Sequence, residues 1–205
     1  MNGIAPGPDG KLRCRWCVAT ADYVRYHDTE WGFPVDDDQR LFEKLCLEGF
    51  QAGLSWRTIL AKRENFRAAF SGFDFRAVAR FDKRDVSRLL QDAGIVRHRA
   101  KIEAVINNAR RAEDLVAETG TLAAFIWGFE PTSTEWAKPR AISTVPAAVA
   151  LSEALKRRGW AFVGKTTAYS LMQAMGLVND HANGCVIRAD VDHARTAFRR
   201  PGQLA

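Results

Sequence analysis

Apolar positions in this chain recur mainly at the spacing of an amphipathic helix. After the acidic run 36–38, which suits a helix start, Leu41, Phe42, Leu45 and Cys46 lie on one stripe. The same spacing predicts further helices, separated by glycines, over residues 58–70, 85–92, 99–118, 122–127, 145–157 and 166–175. No segment alternates for long enough to build a sheet, so the pattern predicts an all-α fold.

The 205 residues of the chain are enough for one domain with a buried core. We expect residues 13–185 to form it as two helical lobes around a cleft, with residues 1–12 as a flexible lead-in and residues 186–205 as a tail of unknown role. No apolar run approaches the roughly 20 residues that cross a bilayer, and the polar amino terminus does not resemble a signal peptide. The expected location is the cytoplasm.

The charge balance is basic. Lysine and arginine outnumber aspartate and glutamate by 30 to 24, which gives a net charge of +6. Basic residues cluster at 97–101, 110–111, 156–158 and 199–200. Such clusters favour a surface that faces a polyanion, although solubility alone also explains a modest basic excess.

Cysteine and histidine residues near the two chain ends have the composition of a zinc site. Disulfides are disfavoured in a cytoplasmic protein, so the thiols are free, buried or metal-bound. His181 and Cys185, four residues apart, supply one pair of ligands, and the amino-terminal segment offers Cys14, Cys17 and His27 for the second. Spacing alone favours Cys14 and Cys17 as that second pair of ligands. The alternative is that the cysteines bind no metal and are simply packed in the core.

Glu48 is an acid in an apolar setting. It follows Leu41 by seven residues and Leu45 by three, so on a helix it shares their inward-facing stripe. A carboxylate there needs a partner or a ligand. With Trp31 and Trp56 nearby in sequence it suits a pocket for a flat, cationic heterocycle. The residues alone slightly favour the simpler interpretation, in which Glu48 pairs with an arginine and the tryptophans are core.

Residues 89–102 predict a helix, a tight turn at Gly94 and a second helix. Free backbone N–H groups at the start of that second helix, beside Arg97, Arg99 and Lys101, suit a DNA phosphate held without regard to sequence. Helical hairpins are common in α-proteins, so the hairpin alone is weak evidence for DNA binding. The basic net charge strengthens it.

Longer stretches lie in a set order between residues 13 and 185. They are CRW at 14–16, YHDTEWG at 26–32, LEGFQAGLSW at 47–56, KREN at 62–65, DAGIVRHRAK at 92–101, FVG at 162–164 and GLVNDH at 176–181. Together they resemble the 3-methyladenine DNA glycosylase I family, a branch of the helix-hairpin-helix glycosylase superfamily. So many ordered matches are far more specific than any short motif.

The resemblance implies a helix-hairpin-helix glycosylase-like fold whose amino- and carboxy-terminal segments are joined by one structural Zn²⁺. The implied ligands are Cys14, His27, His181 and Cys185, so His27 replaces Cys17 in the set that spacing favours. Residues 13–185 become a single catalytic domain.

The resemblance also assigns a base pocket and DNA contacts. Glu48 is the implied catalytic carboxylate, Tyr26 and Trp56 line the pocket, and Trp16 and Trp31 lie close by. The remaining implied or predicted DNA contacts are Gly53 and Leu54, which fill the gap left by a flipped nucleotide, and Gly94, Arg97, Arg99 and Lys101 of the hairpin.

The implied function is excision of 3-methyladenine from double-stranded DNA by hydrolysis of the N-glycosidic bond, which starts base excision repair. No lyase activity is implied, because the family lacks the aspartate that the wider superfamily uses, and no membrane or obligate protein partner is expected. Two alternatives are a zinc-containing module that senses damage without catalysis, and a zinc hydrolase with an open coordination position.

Overall fold

The computed structural model describes residues 3–132 and 145–202. Helices dominate this part of the chain, so the all-α prediction is confirmed, and none of these helices is long and apolar enough to span a membrane. The helices are α1 (Ala21–Thr29), α2 (Asp38–Gln51), α3 (Trp56–Ala61), α4 (Arg63–Ala69), α5 (Phe75–Val78), α6 (Lys83–Gln91), α7 (Arg99–Thr119), α8 (Leu122–Trp127), α9 (Pro146–Arg157), α10 (Lys165–Ala174) and α11 (Arg188–Ala197).

Several helices differ from the predicted pattern. The helix predicted over residues 58–70 is two helices, α3 and α4, because Lys62 at their junction leaves helical geometry with φ −103° and ψ 2°. Helix α1 was not predicted. Only Tyr26 and His27 of its nine residues are buried, so it carries no apolar stripe for a periodicity to detect.

Backbone pairing orders part of the segment that was expected to be a flexible lead-in. Strand β1 (Ile4–Pro6) pairs antiparallel with strand β2 (Leu12–Cys14). Arg13 anchors this hairpin, since its guanidinium lies 2.6 Å from Asp9 and 2.8 Å from Asp28 of α1. The pairing sets Cys14, the last residue of β2, against the main body of the protein.

Helix α2 is the centre of the core. It contacts α3, α7, α8 and α10, and every residue from 41 to 50 is buried. A helix covered on all sides has no solvent-facing stripe on which to place its polar residues. Its charged side chains must therefore find partners inside the protein.

The segment after residue 185 is part of the domain. Helix α11 buries Val191 completely, and Phe198 just beyond it packs against Trp127 with ring centroids 4.6 Å apart. Arg195 of α11 reaches Glu130 at 2.9 Å. The tail of unassigned role is thus a helix fastened to the body of the protein by apolar contact and an ion pair.

Candidate functional site

Helix α2 positions Glu48 in the interior. Asp37 caps the start of the helix, because its carboxylate accepts a hydrogen bond from the backbone N–H of Arg40 at 2.8 Å. Glu48 is only 7% exposed, as its place on the apolar stripe predicted. Its partner is a lysine rather than the arginine considered from the sequence: Lys44 Nζ lies 3.1 Å from Glu48 Oε1. Burial raises the pKa of Glu48, and the Lys44 charge opposes that rise.

Two aromatic rings lie beside this carboxylate. Tyr26 comes from α1, and Trp56 is the first residue of α3, where the Ser55 hydroxyl accepts a hydrogen bond from the Thr58 N–H. The two ring centroids are 5.5 Å apart and the planes are inclined by 44°. Tyr26 is buried, and burial raises the pKa of its phenol well above the usual value. The structure thus brings together the acid and both rings that the family resemblance assigned to a base pocket.

Lys44 is a pocket residue that the sequence interpretation missed. Its ammonium donates to the Tyr26 hydroxyl at 2.5 Å and lies 3.4 Å from the centroid of the Trp56 ring. The available signal was its place four residues before Glu48, because positions i and i+4 of a helix share a face. A buried residue on that face was therefore a foreseeable partner for the acid.

Trp16 and Trp31 lie between the pocket and the chain-end cluster. The rings are 5.1 Å apart, and Trp16 is 6.4 Å from Tyr26. Trp31 contacts His27 at 6.1 Å and His181 at 4.6 Å between centroids. Trp31 thus packs against both histidine-bearing segments, and Trp16 connects it to Tyr26.

Residues from the two ends of the chain converge on a group able to hold a metal ion. Among the described residues, the donor atoms of Cys14, His27 and Cys185 all lie within 4.8 Å of one another, and all three are buried. His27 Nε2 is 3.5 Å from Cys185 Sγ, while its Nδ1 faces Asp28 Oδ1 at 2.7 Å. A carboxylate on the second ring nitrogen is a common way to orient a metal-binding histidine.

His181 completes the arrangement. Its ring centroid is 4.7 Å from that of His27, and the N–H of the next residue, Ala182, donates to Cys14 Sγ at 3.3 Å. His181 Nε2 is buried and has no hydrogen-bond partner within the described residues. An orphaned ring nitrogen beside two thiols is costly unless a metal takes its lone pair. Burial lowers the pKa of His181 to about 4, which keeps the ring in the neutral, metal-binding form. Cys14, His27 and Cys185 therefore fit a metal ion, and His181 lies beside them with an Nε2 free of hydrogen bonds to the described residues.

Cys17 is the alternative thiol. It is fully buried at the end of a 3-10 turn over Arg15–Cys17. The group whose donor atoms are mutually close contains Cys14 but neither Cys17 nor His181, among the described residues. The geometry therefore favours Cys14 over Cys17 as a ligand.

Gly53 and Leu54 form an exposed tip between α2 and α3. Leu54 is 43% exposed although it is a large apolar residue. Gly53 has φ +81°, a conformation that residues with a Cβ rarely adopt, and a side chain there would meet open space. An apolar side chain at the tip of a tight turn suits insertion into a gap in a partner.

The predicted hairpin lies between α6 and α7. Arg97 and Arg99 are exposed, whereas Lys101 is buried and donates to the carbonyls of Phe50 at 2.8 Å and Ala52 at 2.6 Å. Lys101 was expected to contact DNA. Its ammonium instead satisfies free carbonyls at the end of α2, because α7 crosses that end.

The same hydrogen bonds bring the hairpin and the Gly53–Leu54 tip together. Gly94 in the turn is held by Lys62, whose ammonium donates to the Gly94 carbonyl at 3.1 Å. Lys101, two residues after Arg99 in α7, thus ties α7 to Ala52, the residue before the exposed tip.

Comparison with known proteins agrees with this arrangement. The family model for methyladenine glycosylase matches residues 16–189. The DNA-3-methyladenine glycosylase 1 of Escherichia coli strain K12 is 50% identical over 177 residues, which is 84% of this chain and 95% of that protein. A crystal structure of 3-methyladenine DNA glycosylase I superposes with a TM-score of 0.79 at 49% identity and covers 85% of this chain and 98% of its own. A structure of the Staphylococcus aureus 3-methyladenine DNA glycosylase I, determined to explain its recognition of 3-methyladenine, has a TM-score of 0.79 at 34% identity. The match covers 86% of this chain and 96% of that one.

The mostly helical fold is that of a glycosylase, a hydrolase of N-glycosyl bonds. The chain belongs to the methyladenine glycosylase family. The resemblance drawn from the sequence is confirmed.

Proposed function

We propose that this chain is a monofunctional DNA glycosylase that excises 3-methyladenine from alkylated duplex DNA. The observation that carries the proposal is the buried carboxylate of Glu48 beside Tyr26 and Trp56, in a chain half identical to an Escherichia coli DNA-3-methyladenine glycosylase. Such a pocket suits a flat base with a polar edge. Glu48 accepts a hydrogen bond from the exocyclic amine, Tyr26 contacts the same edge and Trp56 stacks on the ring.

Cleavage of the N-glycosidic bond of this lesion needs little acid catalysis. Methylation at N3 gives the adenine a positive charge, which weakens its bond to the sugar and makes the base a good leaving group. The nucleotide is rotated out of the duplex at a cost of a few kcal/mol. Water then bonds to C1′, the electron pair of the C1′–N9 bond leaves with the base and neutralises its charge, and a proton passes to solvent. The products are 3-methyladenine and an abasic site, the starting point of base excision repair.

The DNA-facing surface consists of the Gly53–Leu54 tip with Arg97 and Arg99. Leu54 fills the gap left by the flipped nucleotide, and the two arginines hold phosphates. Lys101 supports the tip from behind and is removed from the set of phosphate contacts. Binding should be steeply salt-dependent and nearly independent of sequence. Duplex DNA is the proposed partner, in the cytoplasm, without an obligate protein partner.

Cys14, His27, His181 and Cys185 would hold one structural Zn²⁺. When bound, the ion cross-links the amino-terminal hairpin and the carboxy-terminal segment. Four protein ligands leave no coordination position for a reacting water, which argues against a zinc hydrolase. The base pocket, built from α1, α2 and α3, carries out recognition on its own.

Release of methylated bases from alkylated duplex DNA tests the function. Wild-type protein should release 3-methyladenine, and Glu48→Gln should release it at least tenfold more slowly. Glu43→Gln is the matched control, because Glu43 is also a buried acid of α2. Its carboxylate pairs with Arg67, 2.8 Å away, and not with Lys44. Absence of release by the wild type would refute the function, and equal rates for the wild type and Glu48→Gln would refute the role of Glu48.

A further inference from the structure

The base pocket contains a cation of its own. Lys44 is 5% exposed, and lysine is among the residues least often buried. Its ammonium makes one ion pair, to Glu48 at 3.1 Å, and one hydrogen bond, to the Tyr26 hydroxyl. Burial lowers the pKa of Lys44 to about 8, although the Glu48 carboxylate opposes that fall. Burying a charged amine costs free energy, and packing alone does not explain why a lysine stands at this position.

The ammonium lies on the aromatic surface that the proposed function assigns to the base. Lys44 Nζ is 3.4 Å from the Trp56 ring centroid and 4.7 Å from the Tyr26 ring centroid. Both distances are within the range of a cation–π contact. A positively charged purine stacked on Trp56 would use that same attraction. The side chain and the proposed ligand therefore compete for one site.

The charges around the pocket balance only with Lys44 included. The charge of Glu30 is neutralised by Arg63, which forms a bidentate ion pair with it at 2.6 and 2.9 Å. That leaves Glu48 and Lys44 as the second pair, and Tyr26 is neutral. Removal of the lysine charge would leave the pocket with one net negative charge facing a cationic base.

We propose that Lys44 is a specificity-determining residue, an internal cation that reduces the preference of the pocket for a positively charged base over a neutral base of the same shape. The proposal rests on the proposed function, because it takes the Trp56 face as the base site. A cationic base must displace the ammonium and share Glu48 with it. A neutral purine of the same shape also displaces the ammonium from the Trp56 ring, but it meets no charge repulsion from it. The pocket thus admits uncharged purine lesions more readily than the acid and the rings alone would allow.

Two small ligands of one shape test this directly. The first is adenine methylated at both N3 and N9, a permanent cation in which a methyl group replaces the sugar. The second is its neutral counterpart with carbon in place of N3. Titration calorimetry at pH 7 gives the affinity of each for the wild type, for Lys44→Met and for Lys44→Arg. Lys44→Met keeps the length and apolar stem of the side chain, and Lys44→Arg keeps the charge.

The quantity to compare is the ratio of the affinity for the cation to the affinity for the neutral compound. Lys44→Met should raise this ratio at least tenfold, while Lys44→Arg should stay within about threefold of the wild type. An unchanged ratio in Lys44→Met overturns the proposal, as does failure of every protein to bind either compound. Circular dichroism and thermal unfolding confirm that the variants are folded. The base-release assay is separate, so loss of the proposed function and loss of this specificity role are distinguishable.

Discussion

Asn179 holds His181 through a single amide oxygen, which accepts from the backbone N–H at 3.1 Å and from ring Nδ1 at 2.9 Å. Because Nδ1 then carries the proton, the lone pair of Nε2 is free for a metal. The Asn179 amide nitrogen donates in turn to Asp192 Oδ1 at 2.7 Å and to the Arg188 carbonyl at 3.0 Å. Helix α11 therefore helps to orient a residue of the proposed zinc site.

Asn179→Ala should weaken zinc binding by about 10–100-fold, because it removes the group that orients His181. Competition with a chromophoric chelator measures the affinity. Asn107→Ala is the matched control, since Asn107 bonds the Gly159 carbonyl at 2.8 Å, away from the cluster. Equal zinc affinities of wild type and Asn179→Ala would contradict the orienting role.

Cys14→Ala and Cys17→Ala distinguish the two candidate ligand sets. The donor group with mutually close atoms contains Cys14, so Cys14→Ala should lose bound zinc and Cys17→Ala should retain it. Atomic emission spectrometry of the purified proteins gives the zinc content. Loss of zinc from Cys17→Ala alone would show that the closely spaced pair supplies the ligand after all.

Lys101→Met and Arg97→Ala should have opposite signatures. Loss of the Lys101 hydrogen bonds to Phe50 and Ala52 leaves carbonyls unsatisfied and should cost about 1–3 kcal/mol of stability, measured by urea unfolding. Arg97→Ala should leave stability nearly unchanged.

For DNA binding, Arg97→Ala should have the larger effect of the two variants. Arg97→Ala should reduce the slope of log affinity against log salt by about one, as expected for one lost phosphate contact. A Lys101→Met protein of wild-type stability would contradict the assignment of Lys101 as a capping residue.

The depressed pKa of Lys44 makes stability depend on pH with a definite sign. The amine titrates at about 8 in the native protein and at its ordinary 10.5 in the unfolded chain. Between these values the unfolded chain binds more protons, so stability rises with pH. Relative to Lys44→Met, the wild type should gain up to about 3 kcal/mol of unfolding free energy from pH 8 to 10.5. Denaturant unfolding at a series of pH values measures this, and a flat difference between the two proteins would refute it.

No covalent adduct should form with abasic DNA. A lyase links an amine to C1′ as a Schiff base, which borohydride reduces to a stable bond. The Lys44 ammonium is instead held by Glu48 and Tyr26. Borohydride treatment of the wild type with abasic duplex should therefore give no cross-link on a denaturing gel, and a cross-link that Lys44→Met abolishes would overturn the monofunctional assignment.

Local pattern was sufficient for much of the fold. The apolar stripe of α2 predicted both the helix and the inward position of Glu48, because side chains three, four and seven residues apart share a helix face. The long family stretches were sufficient for the glycosylase class. Helix α1 escaped prediction because it buries only two side chains, which carry no period.

Periodicity tells which face of a helix turns inward, but contacts between distant segments exist only in the folded chain. Residues 14, 27 and 185 are far apart in sequence, and their convergence depends on the β1–β2 hairpin and on the segment leading into α11. Lys101 looked like one basic residue among several until α7 was seen to cross the end of α2. The sequence by itself determined most of the helices, the inward acid and the family. Only the tertiary structure decided that a lysine shares the acid's pocket, because α2 is covered on every side and a charge there must be met by whatever residue lies within reach.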